Sequence, residues 1–70
     1  MTFDEVFDYL IDFRKSEGLS QVEVASRMGV GQSTVSEFES KKHTPRVATL
    51  ERYANALGLT VEVGISGIEE

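Results

Sequence analysis

The first half of the chain carries apolar side chains at the spacing of an amphipathic helix. Phe3, Val6, Phe7, Leu10 and Ile11 follow the i, i+3, i+4, i+7, i+8 rule, with Phe3 and Phe7 expected in the core. Thr2 and Glu5 stand ahead of them as a capping box. In that arrangement the hydroxyl and the carboxylate each take a backbone N–H that the helix start leaves without a partner. The pattern predicts a first helix over residues 3–16, ended by Gly18. Ser20 and Glu23 repeat the capping box, Val24 and Met28 repeat the helical spacing, and Gly29 supplies a stop. A second helix is therefore expected over residues 21–28. Val30 is the apolar residue of the turn that follows. A third helix over residues 32–39 points Val35 and Phe38 inward and Ser33, Ser36, Glu37 and Ser40 outward. Ser-Lys-Lys-His-Thr-Pro-Arg at 40–46 reads as a polar loop. Thr44 as N-cap and Pro45 as first helical residue lead into a fourth helix over residues 46–57. Its apolar stripe is Val47, Leu50, Ala54 and Leu57. Gly58 follows as the C′ residue, with Leu59 for the accompanying hydrophobic contact.

Beyond Gly58 the period changes from helical to two. Leu59, Val61, Val63 and Ile65 alternate with Thr60, Glu62 and Gly64, which is the pattern of a β-strand. A lone strand leaves backbone N–H and C=O groups unpaired. Since no other strand is readable, the economical partner is the same strand of a second copy, antiparallel across a two-fold axis. The alternatives are a frayed apolar tail or a strand laid on the helices. This divides the chain into a helical unit, 1–58, and a dimerisation segment with a loose end, 59–70.

The chain has 70 residues, enough for one domain with a small core, for which self-association is a useful support. It has no cysteine, which excludes disulfides, thiolate metal sites and a cysteine nucleophile. The start, Met-Thr-Phe-Asp-Glu, lacks the basic region of a signal peptide, and no apolar run approaches a membrane span, so a cytoplasmic location is expected.

Helices two and three, joined by a tight glycine turn with small Ala25 where they cross closely, make the pattern of a helix-turn-helix. A bracing helix and a sharp turn would present a third helix whose polar face can enter a DNA major groove. The plainer reading is an αα-hairpin within an ordinary helical protein. The net charge of −5 runs against DNA binding, because phosphate contacts need Lys and Arg. Its distribution softens the objection. Asp4, Glu5, Asp8 and Asp12 crowd the first helix and Glu62, Glu69 and Glu70 the tail, whereas Lys41, Lys42 and Arg46 cluster just after the third helix.

The segment Leu-Ser-Gln at 19–21, Ala25, Met-Gly-Val at 28–30, Gln-Ser-Thr-Val-Ser at 32–36, Glu39, Pro45 and Ala54-x-x-Leu57-Gly58 together resemble the Cro/phage-repressor type of helix-turn-helix protein, the Xre family. The likeness covers about residues 6–59. It implies a mainly α fold, a compact repressor-like bundle of four to five helices, here with the fifth replaced by the short C-terminal strand. By the same resemblance, Arg14 and Glu39 stand at the positions of an ion pair tying helix one to helix three. Gln32, Ser33, Ser36 and Glu37 match the base-reading positions, and Gln21 matches a phosphate contact that braces the glutamine of helix three. Ser40, Lys41, Lys42 and Arg46 are expected on the DNA backbone. Glutamine can pair with adenine, serine with several bases, and glutamate with cytosine N4. Two departures stand out. Glu37 repels phosphate unless it finds a cytosine. Lys41 stands where the family often has glycine, and is strained if the backbone there is left-handed. The terminal strand and the leading helix also look like antitoxins of the HipB and HigA sort, which bind their own operator and a toxin protein.

The expected function is that of a sequence-specific DNA-binding regulator, a repressor acting as a homodimer on a double-stranded operator. The alternative is an antitoxin that holds a toxin partner and regulates its own operon. Tyr9 and Phe13, four residues apart, are the candidate contact for such a partner. Enzymatic chemistry is not expected, because the single histidine, His43, lies in a loop without a nucleophile or orienting acid at readable spacing. Asp4, Asp8 and Asp12 share one helix face, but three aspartates on one straight helix rarely close a cation shell, and they read as a solvated face. No cofactor and no metal is expected.

Overall fold

The computed structural model describes residues 2–62, and four α-helices account for most of them: α1 (Phe3–Ser16), α2 (Gln21–Met28), α3 (Gln32–Glu39) and α4 (Val47–Ala56). Both capping boxes close. Thr2 N–H donates to Glu5 Oε1 at 2.8 Å while Glu5 N–H donates to Thr2 Oγ1 at 3.1 Å. Ser20 and Glu23 make the same reciprocal pair at 2.8 and 3.0 Å. Each cap is worth about 1 kcal/mol, which matters in a chain this small. The backbone and hydroxyl of Ser20 also hold the Glu23 carboxyl below its ordinary pKa.

Helices α1, α2 and α4 end alike. A residue two or three beyond the helix donates its N–H back across the last turn: Leu19 to Arg14 O at 3.1 Å, Val30 to Ala25 O at 3.0 Å, and Leu59 to Ala54 O at 2.9 Å. These closures satisfy helix-end carbonyls and tuck Leu19, Val30 and Leu59 onto the core. At the turn between α2 and α3, Gly29 adopts φ 74°. A Cβ there would meet nothing within 4 Å, so backbone conformation rather than space calls for glycine.

The core is built from Phe7 and Leu10 of α1, Val24 and Ala25 of α2, Val35 of α3, and Leu50, Tyr53, Ala54 and Leu57 of α4 and its end. Tyr53, Phe7, Val24 and Val35 are the largest side chains fully removed from solvent. Two arginines lock α2 against α4 from outside. Arg27 donates to Ala56 O at 2.9 Å and Arg52 to Met28 O at 2.8 Å, so each helix supplies a cation to the carbonyl end of the other.

Several expectations are corrected. Helix α4 starts at Val47 with Arg46 as N-cap, not at Pro45 with Thr44 as cap. Extended backbone ahead of a proline suits a loop as well as an N-cap, so Thr44-Pro45 is locally compatible with either start. Pro45 walls a hollow beside Phe3 and Phe7, and the chain turns helical only once past it. Val47 and Phe3, assigned to apolar stripes, are 45% and 36% exposed, because each opens its helix and overhangs the core by most of a turn. The working stripe of α4 is Leu50, Tyr53, Ala54 and Leu57. No fifth helix occurs among the described residues. Of the expected strand, residues 59–62 carry no regular structure, since a single chain offers them no ladder, yet Leu59 and Val61 pack against the core. Val63 and Ile65 lie outside the described residues.

Candidate nucleic-acid interface

One carboxylate organises the helix that carries the predicted reading residues. Glu39, the last residue of α3, accepts from Arg14 Nε at 2.7 Å and from Arg14 Nη2 at 2.9 Å, a two-pronged contact suited to guanidinium geometry. It also accepts from Gln21 Nε2 at 3.0 Å and from the Tyr53 hydroxyl at 2.5 Å. Arg14, Gln21 and Tyr53 belong to α1, α2 and α4, so all three other helices hold the end of α3 through this group. Arg14 donates further to Leu19 O at 2.7 Å. The side chains of Arg14 and Glu39 are 9% and 8% exposed, and no buried side-chain nitrogen or oxygen among the described residues is left without a partner.

The ionisation of this cluster follows from the contacts. Burial pushes the Glu39 carboxyl up, but the hydrogen bonds from Arg14, Tyr53 and Gln21 outweigh it and hold it below its ordinary value. The Glu39 hydrogen bond holds the Arg14 guanidinium charged against its burial. Burial, then the Glu39 carboxylate, drives the Tyr53 phenol well above its ordinary value, so it remains a proton donor at neutral pH.

The network reaches the outer face of α3. A carboxylate only accepts, so Gln21 must turn its amide N–H toward Glu39 and its carbonyl outward. That carbonyl accepts from Gln32 Nε2 at 2.8 Å. Gln32 keeps its own carbonyl oxygen and one amide hydrogen, the donor and acceptor set that matches the N7/N6 edge of adenine. Gln32, Ser33, Ser36 and Glu37 are all exposed. The α3 N-cap is Gly31, which has no side chain to cap with, so only its backbone carbonyl serves the first turn, accepting from Thr34 N–H at 3.0 Å.

The cations beyond α3 are not equivalent. Lys42 and Arg46 are exposed. Lys41 turns back to α1, where its ammonium pairs with Asp8 and sits 5.3 Å from the centre of the Phe7 ring. Its φ of 62° is the left-handed conformation that glycine adopts more readily. Ser40 closes the end of α3, donating to Glu37 O at 2.6 Å. Tyr9 is 52% exposed and stacks on Phe13 with ring centres 6.2 Å apart. His43 is exposed, and among the described residues no three His, Cys, Asp or Glu side chains converge as a metal-binding group. No helix among them is long and apolar enough to cross a membrane. The residue that sequence reasoning missed is Tyr53. Its only signal is the i+3 spacing from Leu50, which places it on the buried stripe.

This geometry, two short helices at a glycine turn with the second braced from behind, coincides with the region that a family comparison identifies. Residues 10–63 match the model described as Helix-turn-helix. The chain belongs to the helix-turn-helix family. Within it, the chain is 60% identical over 50 residues to the antitoxin HigA1 of Mycobacterium tuberculosis, covering 71% of this chain and 34% of that protein. It is 33% identical over 58 residues to the cryptic phage CTXphi transcriptional repressor RstR of Vibrio cholerae, covering 83% and 52% of the two chains. It is 35% identical over 48 residues to the immunity repressor protein of Bacillus phage phi105, covering 69% and 33%. The chain therefore spans a third to a half of the length of these helix-turn-helix relatives.

Proposed function

We propose that this chain is a sequence-specific DNA-binding transcriptional regulator, a repressor that acts as a homodimer in the cytoplasm and lays α3 in the major groove. The observation that carries this reading is the outer face of α3. Its exposed Gln32 is held by Gln21, which is in turn held by the buried Glu39 cluster. A side chain already oriented loses less freedom on meeting a base than one that is free. The repressors among the similar proteins support the same reading. Gln32, Ser33, Ser36 and Glu37 read bases. Gln21, Ser40, Lys42 and Arg46 touch the phosphate backbone, and Lys41 joins them only by leaving Asp8. Residues 1–58 form the DNA-binding unit, and 59–70 pair across the dimer. The mechanism is occupancy, without bond-making chemistry or a cofactor. With Lys42 and Arg46 from each protomer as the main cations, binding neutralises about four phosphates, so the logarithm of affinity should fall with that of salt at a slope of about −4.

A footprint on the DNA upstream of the chain's own gene tests the reading. A two-fold dimer should protect a near-palindrome whose half-sites lie about 34 Å apart. Absence of protection there and throughout a genomic pool would contradict it. The 60% identity to part of an antitoxin favours a second reading, in which the chain also holds a toxin protein and regulates its own operon. Copurification of the product of an adjacent gene with the tagged chain tests that reading.

A further inference from the structure

We infer that Tyr53 is a positioning residue for base recognition, although it lies in the core and belongs to none of the surfaces that meet DNA. This inference rests on the DNA reading above. Tyr53 is fully buried on α4 and grips two consecutive residues of α3. Its ring stacks on Phe38, with centres 4.7 Å apart and planes inclined by 28°. Phe38 also packs against Phe7 of α1, with ring centres 4.8 Å apart. Its hydroxyl donates to Glu39 Oε2, the oxygen that also accepts from Arg14 Nε. The ring fixes the height of α3 above the core, and the hydroxyl fixes the carboxylate.

The consequence runs outward along one hydrogen-bonded path. The Glu39 oxygen not bound by Tyr53 accepts from Gln21, and Gln21 accepts from Gln32. Every link is directional: phenol to carboxylate, amide to carboxylate, amide to amide. Rotation of the Glu39 carboxylate releases the Gln21 amide and removes the reason for it to present its carbonyl to Gln32. Gln32 then meets a base in either amide orientation, and the preference for adenine over other bases relaxes. The charged phosphate contacts are untouched, because Lys42 and Arg46 lie outside this path, and of the proposed backbone contacts only that of Gln21 shares it.

The test uses the full chain and the duplex that the wild-type chain selects from a random pool, with a scrambled duplex as reference. Tyr53→Phe keeps the ring and removes the donor. It should lower the ratio of selected-duplex to scrambled-duplex affinity about threefold to tenfold, the worth of one oriented hydrogen bond, with scrambled-duplex affinity changed far less because Lys42 and Arg46 are unaffected. In a Gln32→Ala background the same change should leave the ratio unaltered. The Glu39 carboxyl, followed by NMR, should titrate higher in Tyr53→Phe than in the wild type. Leu50→Val, a core change on the same helix, should lower the melting temperature and leave the ratio alone. If Tyr53→Phe lowers the melting temperature but keeps the wild-type ratio, or if its effect persists undiminished in Gln32→Ala, the positioning role is wrong. If the wild-type chain selects no sequence, the DNA reading fails instead. The Glu39 titration then decides the coupling, and an unchanged value in Tyr53→Phe overturns it.

Discussion

Replacing Arg14 by alanine should be among the most damaging single changes in this chain, and its size follows from what it leaves behind. The guanidinium makes two bonds to Glu39 and one to Leu19 O, and the ion-paired side chains are 9% and 8% exposed. Removing one partner of a buried pair costs about 3–5 kcal/mol, because the other charge stays buried without its counterion. Glu39 retains Tyr53 and Gln21 as donors, which places Arg14→Ala near the lower end, about 3 kcal/mol. A chain of 70 residues has roughly 4–10 kcal/mol of stability in all, so this is a large share of it. Glu39→Ala should cost about as much, since it strands three donors. The double variant loses the pair without leaving an unmatched charge, so the two effects should fall short of additive by about 2 kcal/mol. Urea unfolding of the four proteins, followed by helical circular dichroism, measures the cycle. A coupling within about 0.5 kcal/mol of zero would falsify the claim that this pair fastens α3 to α1.

Three further outcomes follow from individual contacts. Glu39 binds a proton more weakly in the folded than in the unfolded chain, so its contribution is complete above a pH of about 4.5 and is lost as pH falls through its depressed folded-state value. Stability should therefore drop more steeply in acid for the wild type than for Glu39→Gln, and parallel curves would contradict the assignment. At position 41 the left-handed backbone should invert the usual order of alanine and glycine. Both substitutions lose the half-exposed pair with Asp8, but glycine alone relieves strain of about 1 kcal/mol, so Lys41→Gly should melt roughly 4–8 °C above Lys41→Ala. Deleting residues 63–70 leaves Leu59 and Val61 on the core and removes Val63 and Ile65 from the proposed interface. Sedimentation should show a monomer, and a dimer unchanged in affinity would refute pairing through that segment.

What was legible in the sequence was local. Thr2 with Glu5 and Ser20 with Glu23 mark helix starts because a short side chain can reach only its own first turn. The glycines at 18, 29 and 58 mark helix ends because the left-handed turn is a property of one residue. The bounds of α1, α2 and α3 therefore match the spacing. The start of α4 at Val47 is not legible, because proline fits both the first helical position and the extended residue before a cap. Arg14 and Glu39 were found by resemblance to a family, since nothing in the sequence relates residues 25 apart. The same distance hid the other partners. Lys41 reads as a phosphate contact until Asp8, 33 residues away, is seen beside it. Tyr53 falls on the buried stripe by its spacing from Leu50, but nothing local shows that its ring meets Phe38 and its hydroxyl Glu39. The sequence pattern shows which residues face inward, but not what they meet there.

The most direct test of the account is the response of DNA binding to loss of the Gln32 side chain. The wild-type chain and Gln32→Ala are titrated onto the duplex that the wild type protects and onto a scrambled duplex, at one fixed salt concentration. If α3 reads bases through an amide braced by Gln21, Gln32→Ala should weaken binding to the protected duplex by about 1–3 kcal/mol while changing scrambled-duplex binding little. Equal affinities of the two proteins for both duplexes would contradict it and remove α3 as the reading element.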